Sequence, residues 1–136
     1  MEYTNLEQSK ELMELGLKPE TADLVWYRET RDDSYQLALL RDDIKLIEDM
    51  FSIRNEYALP AWSTDALLRE IPTEIRVKDA WFEFHLSYKE GYWYAAYRDD
   101  VFDSIVYHGK WSSLVDMLAD IMKWLLENKY KTYSHD

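Results

Sequence analysis

The stretch Trp81–Arg98, WFEFHLSYKEGYWYAAYR, decides the fold class. Phe82, Phe84, Leu86 and Tyr88 alternate with Glu83, His85 and Ser87, the period of two by which successive strand side chains take opposite faces. Lys89, Glu90 and Gly91 then make a tight connection, with Gly91 suited to the left-handed position of a three-residue hairpin loop. Tyr92–Arg98 returns as the next strand. On this reading Trp81, Trp93 and Tyr97 alternate onto one sheet face, and Phe82, Phe84, Tyr92 and Tyr94 onto the other. Two aromatic faces exceed what one core hides, so either helices cover both sides or one face is an interaction surface. Trp81, Glu83, His85, Trp93 and Tyr97 are its candidate residues.

Downstream, a charged turn through Asp99, Asp100 and Asp103 leads to a shorter strand, Ser104–His108. Ser112 or Ser113 then caps a helix whose Leu114, Leu118, Ile121 and Leu125 form one stripe, widened by Val115, Met122 and Leu126. Asn128 is its expected left-handed stop. Upstream, Glu74–Lys78 alternates with Ile75 and Val77. The switch from odd to even apolar positions between Val77 and Phe82 calls for a bulge or bend at Asp79 and Ala80.

Further toward the N-terminus, Ser63 caps a short helix that Pro72 closes after Ile71, with Trp62 placed to staple onto Leu67. The chain breaks at Pro60 before it. Ile44, Ile47, Met50 and Phe51 recur at helical spacing over Asp42–Arg54. Leu24–Arg28 and Tyr35–Leu40, separated by a polar turn, read as a β-hairpin. Thr4 and Glu7 have the spacing of a capping box, and the helix they open ends near Leu15, at Gly16 and Pro19. The sum is an α+β domain spanning residues 1–136: one antiparallel sheet of about five strands, helices packed on one side, an N-terminal helix and a long C-terminal amphipathic helix.

The 136 residues are 47% hydrophobic and 15% aromatic, a composition that supports one buried core rather than disorder. The absence of Cys excludes disulfides, thiolate nucleophiles and Cys-based zinc sites. A formal charge of −11 disfavours phosphate backbones, so nucleic acid is not the expected partner. Without a basic, apolar leader or a run of about 18 apolar residues, the expected setting is soluble and cytoplasmic, with no membrane partner.

Glu83, His85 and Ser87 lie about 7 Å apart at each step along one strand face. An acid, a base and a nucleophile would suit a small hydrolase. No Gly-flanked nucleophile elbow accompanies them, and the bland reading is the wet face of a half-buried strand. Asp99, Asp100 and Asp103 lack the alternating ligands, central Gly and closing Glu of a calcium loop, so a solvated turn is expected. His85, His108 and His135 lack zinc-motif spacing. No catalytic residue, cofactor or metal is therefore expected.

Three stretches, LEQSKELMELGLKPETADLVW (6–26), LPAWSTDALLREIP (59–72) and GYWYAAYRDD (91–100) with MLADIMKWLLENKY (117–130), together resemble small proteins of Bacteroides-type gut bacteria and their phages or mobile elements. The resemblance brings no catalytic residue to carry over, and it implies a loop rather than a helix before the PAWS segment. Gly91–Asn128 also resembles, in element order, the half-domain of HicB-type antitoxins, with Gly109, Lys110, Trp111 where that group has Gly, an acid or amide, then Thr. The functional expectation is a non-enzymatic protein-binding accessory domain of a mobile element or phage, with an unidentified protein partner and a homodimer as one option. The alternative is an acidic antitoxin or DNA-mimicking inhibitor.

Overall fold

A computed structural model describes residues 2–40 and 57–130. The helix expected over Asp42–Arg54 lies outside the described residues. The described elements run α1 (Leu6–Glu14), a 3-10 turn (Pro19–Thr21), β1 (Leu24–Tyr27), β2 (Gln36–Leu39), β3 (Ala58–Ala61), α2 (Thr64–Glu70), β4 (Glu74–Val77), β5 (Ala80–Lys89), β6 (Tyr92–Asp99), β7 (Ser104–Trp111) and α3 (Leu114–Glu127). The class is α+β, as expected. The single sheet of about five strands is not what forms: the strands divide into a three-stranded sheet, β2-β1-β3, and a four-stranded sheet, β4-β5-β6-β7, all antiparallel.

The strand hidden from sequence reading is β3. Pro60 reads as a breaker because it lacks an N–H, but β3 is an edge strand of its sheet, where one missing donor is tolerated. All four of its residues are buried, and α1 packs against them.

The α1 cap sits one residue later than the spacing suggests. Asn5 accepts from the Gln8 N–H at 2.8 Å, and the Gln8 side chain accepts from the Asn5 N–H at 3.0 Å, a reciprocal capping box. Thr4 is engaged elsewhere. Its N–H donates to the Trp62 carbonyl, its Oγ1 accepts from the Trp62 N–H at 3.0 Å, and it shares a hydrogen bond with Ser9 Oγ. These bonds tie the N-terminal segment to the start of α2. Gly16, at φ +102°, ends the helix where expected. Ser63 caps α2 through Ala66 N–H, and both its hydroxyl and its N–H donate to the Asp23 carboxylate.

In the four-stranded sheet, turn length sets which side chains share a face. Lys78 and Asp79 are a two-residue hairpin turn between β4 and β5, so the odd-to-even switch is a reversal of chain direction and not a bulge. Glu90 and Gly91, at φ +53° and +84°, form a second two-residue turn of the mirror-image type that matches strand twist. Lys89 therefore pairs with Tyr92, and each odd residue of β5 faces an even residue of β6. A three-residue loop would have paired even with even. The consequence is an inner face carrying Phe82, Phe84, Leu86 and Tyr88 together with Trp93, Ala95 and Tyr97.

Helix α3 lies on that inner face, with Leu118, Ile121, Met122 and Leu125 fully buried. Burial of each such side chain contributes about 1.5–3 kcal/mol. One core joins α3, the inner face, Trp62 and Leu67 of the α2 region, and Leu12 of α1. Trp124 stacks on Tyr107 at 4.6 Å and on Tyr97 at 5.8 Å between ring centroids, and the Tyr97 hydroxyl donates to the Pro72 carbonyl at 2.7 Å. Ser113 is the cap of α3. Its left-handed stop is Lys129, at φ +59°, not Asn128, whose amide donates instead to the Trp124 carbonyl. Strand β7 runs to Trp111, three residues beyond the expected His108.

Candidate functional site

The two-residue turn at Glu90–Gly91 redistributes the five residues expected to form one surface. Trp81, Glu83 and His85 do share the outer face of the four-stranded sheet. Trp93 and Tyr97 lie on the opposite face: Tyr97 is fully buried, and Trp93 packs against the core. Their places on the outer face are taken by Tyr92 and Tyr94.

No described helix packs on this outer face. Trp81 is 55% and Tyr92 41% exposed. Cations lie over the rings: Lys110 Nζ is 4.0 Å from the Tyr92 centroid and 5.9 Å from that of Tyr94, and the Arg76 guanidinium is 5.9 Å from that of Trp81. Strand positions on this face supply Arg76, Lys89, Arg98 and Lys110 against Glu74 and Glu83. Asp100 and Asp79 add carboxylates from the adjoining turns, beside Arg98 and Arg76, so this face carries both signs although the chain as a whole carries −11.

Register aligns His85, Ala96 and His108 in one row across β5, β6 and β7. Because Ala96 ends at Cβ, the sheet is hollowed between the two imidazoles. The depression measures about 400 Å³ and is lined by His85, Ser87, Tyr94, Ala96, Arg98 and His108, among others.

At one end of this hollow three side chains converge. His85 Nε2 is 3.9 Å from Glu83 Oε2 and 3.6 Å from Asp100 Oδ2. Arg98 Nε donates to the other Asp100 oxygen, Oδ1, at 2.9 Å. Asp100 reaches His85 because its neighbour Asp99 turns inward, where it is buried and its carboxylate accepts the Val101 N–H at 2.9 Å. The acids of this turn therefore differ in role, which corrects their reading as a uniformly solvated segment. Asp100 is the residue that sequence reasoning missed. It lies 15 positions from His85, and only the β5–β6 register brings them together. Ser87 is exposed, and His85 Nε2 faces two carboxylates rather than a hydroxyl.

The chain matches no family model, no curated protein and no solved structure. No helix among the described residues is long and apolar enough to cross a membrane.

Proposed function

We propose that this chain is a non-enzymatic protein-binding domain whose contact surface is the outer face of the four-stranded sheet. The observation that carries the reading is an aromatic sheet face, bearing Trp81, Tyr92 and Tyr94, on which no described helix packs. Large apolar surface left open beside polar groups is characteristic of interaction sites. The hollow over Ala96 offers room for one inserted side chain.

The charge of the face defines the partner's chemistry. Lys89 and Lys110 favour a protein segment that presents carboxylates around an aromatic or aliphatic side chain seated over Ala96. The same cations weaken the case for a DNA-mimicking inhibitor acting through this face, since a mimic of phosphate needs a continuous run of carboxylates. The mobile-element setting rests on the sequence resemblance and is part of the proposal.

Peptide display against the purified protein tests it, using a library of random residues flanked by Asp and Glu. Ala96→Arg fills the hollow while keeping an outward side chain, and it is expected to weaken a selected peptide by about tenfold or more, the loss of a central interface contact. Leu39→Lys, on the edge of the other sheet, is expected to bind as the parent. Equal affinity of the parent and the Ala96→Arg protein would overturn the assignment.

A further inference from the structure

We propose that Glu83, His85 and Asp100 form a binding site for a zinc-like divalent transition ion. One donor atom from each residue lies within 4.8 Å of the other two. The inference does not depend on the docking role of the outer face.

The donor set selects the class of ion. An imidazole nitrogen with two carboxylate oxygens suits borderline ions such as zinc, whereas calcium and magnesium take oxygen ligands in larger number. With bonds of about 2.0–2.2 Å, a tetrahedral centre has ligand-to-ligand edges of about 3.3–3.6 Å. The His85–Asp100 separation of 3.6 Å already meets that, and the His85–Glu83 separation of 3.9 Å closes with a few tenths of an ångström of movement. Glu83 and Asp100 are both more than half exposed as side chains, so their carboxylates can rotate into place.

A second observation points to a ligand. His85 Nε2 is inaccessible to solvent although the side chain is 37% exposed, and it has no hydrogen-bond partner among the described residues. A shielded imidazole nitrogen aimed between two carboxylates is an arrangement that a metal ion would complete. Arg98 orients one of these carboxylates. By holding Asp100 Oδ1, it leaves Oδ2 directed at His85, the orienting role that outer hydrogen bonds play around metal ligands. Three protein donors leave a fourth coordination position for water.

Titration calorimetry of metal-free protein with zinc chloride, at about 0.15 M salt to screen the acidic surface, tests the site. One saturable equivalent is expected. His85→Ala should weaken it by at least about tenfold, and Glu83→Gln and Asp100→Asn should each weaken it measurably, by the scale of lost metal ligation. Asp103→Asn, which removes one charge from the same turn, should leave it unchanged. Zinc uptake that is unsaturable, or equal in the parent and His85→Ala, would overturn the proposal. On the parent protein alone, the nitrogen resonance of His85 Nε2 should shift on zinc addition, and an unmoved resonance would overturn the proposal even if every variant misfolded.

Discussion

Gly109→Ala should destabilise the fold, and the loss should vanish when Trp111 is removed. Gly109 lies in β7 opposite Ala95, and the Trp111 indole folds back over it. A Cβ at position 109 would sit 2.3 Å from Trp111 Cη2 and 2.8 Å from both Cζ2 and Cζ3. Ordinary carbon contact begins near about 3.5 Å, so the ring must lift by roughly 1 Å. That movement strains the 2.8 Å hydrogen bond from Trp111 Nε1 to Asp120, which ties β7 to α3. Overpacking of this kind costs about 1–3 kcal/mol. Against it, Gly109 has no positive φ, and alanine at a compatible backbone position gains about 0.4–1 kcal/mol. The expected net loss is about 1–2 kcal/mol in the parent. In a Trp111→Leu background the substitution should be neutral or slightly stabilising. Urea unfolding followed by far-ultraviolet circular dichroism, with slopes checked for constancy, reads both. The same loss in both backgrounds would refute the reasoning, because the cost would then reside in the backbone and not in the Gly109–Trp111 approach.

Thr4→Val keeps the side-chain shape but leaves the buried Trp62 N–H without its acceptor and Ser9 Oγ without its partner, so urea unfolding should show a loss of about 1–3 kcal/mol. An unchanged midpoint would show that the Thr4 hydroxyl does not join the N-terminal segment to α2. Burial, then the charges of Asp120 and Glu127, push the Tyr107 phenol from 10.0 up to about 12. Since the folded state holds that proton more tightly, the associated stability is complete below pH 10 and is lost as pH rises toward 12. Tyr107→Phe should flatten this alkaline limb of a stability profile, and an unaltered limb would place the titration elsewhere.

What the sequence made legible was local. The stripe of α3, the Ser63 cap of α2, the Gly16 stop and the alternation of β5 each depend on residues within a few positions of one another, and each is in place. What escaped depends on longer geometry. Whether two or three residues make the turn after Tyr88 is a small local difference, yet it decides whether Trp93 joins Trp81 or Phe84. Pro60 conceals β3 because a proline signals a break unless its strand is known to be at an edge. For the candidate site, Glu83 and His85 were visible as neighbours on one strand face. Their third member was not, since Asp100 reaches them only through the β5–β6 register and the inward turn of Asp99.

The central claim is that partners meet the outer face of the four-stranded sheet. Its most direct measurement is nuclear magnetic resonance mapping of a display-selected acidic peptide on the isotope-labelled protein. The largest amide shifts are expected at Ser87, Tyr94, Ala96, His108 and Lys110, with little change along α3. Shifts concentrated on α1, α3 or the β2 edge, with the row His85–Ala96–His108 unmoved, would contradict the account.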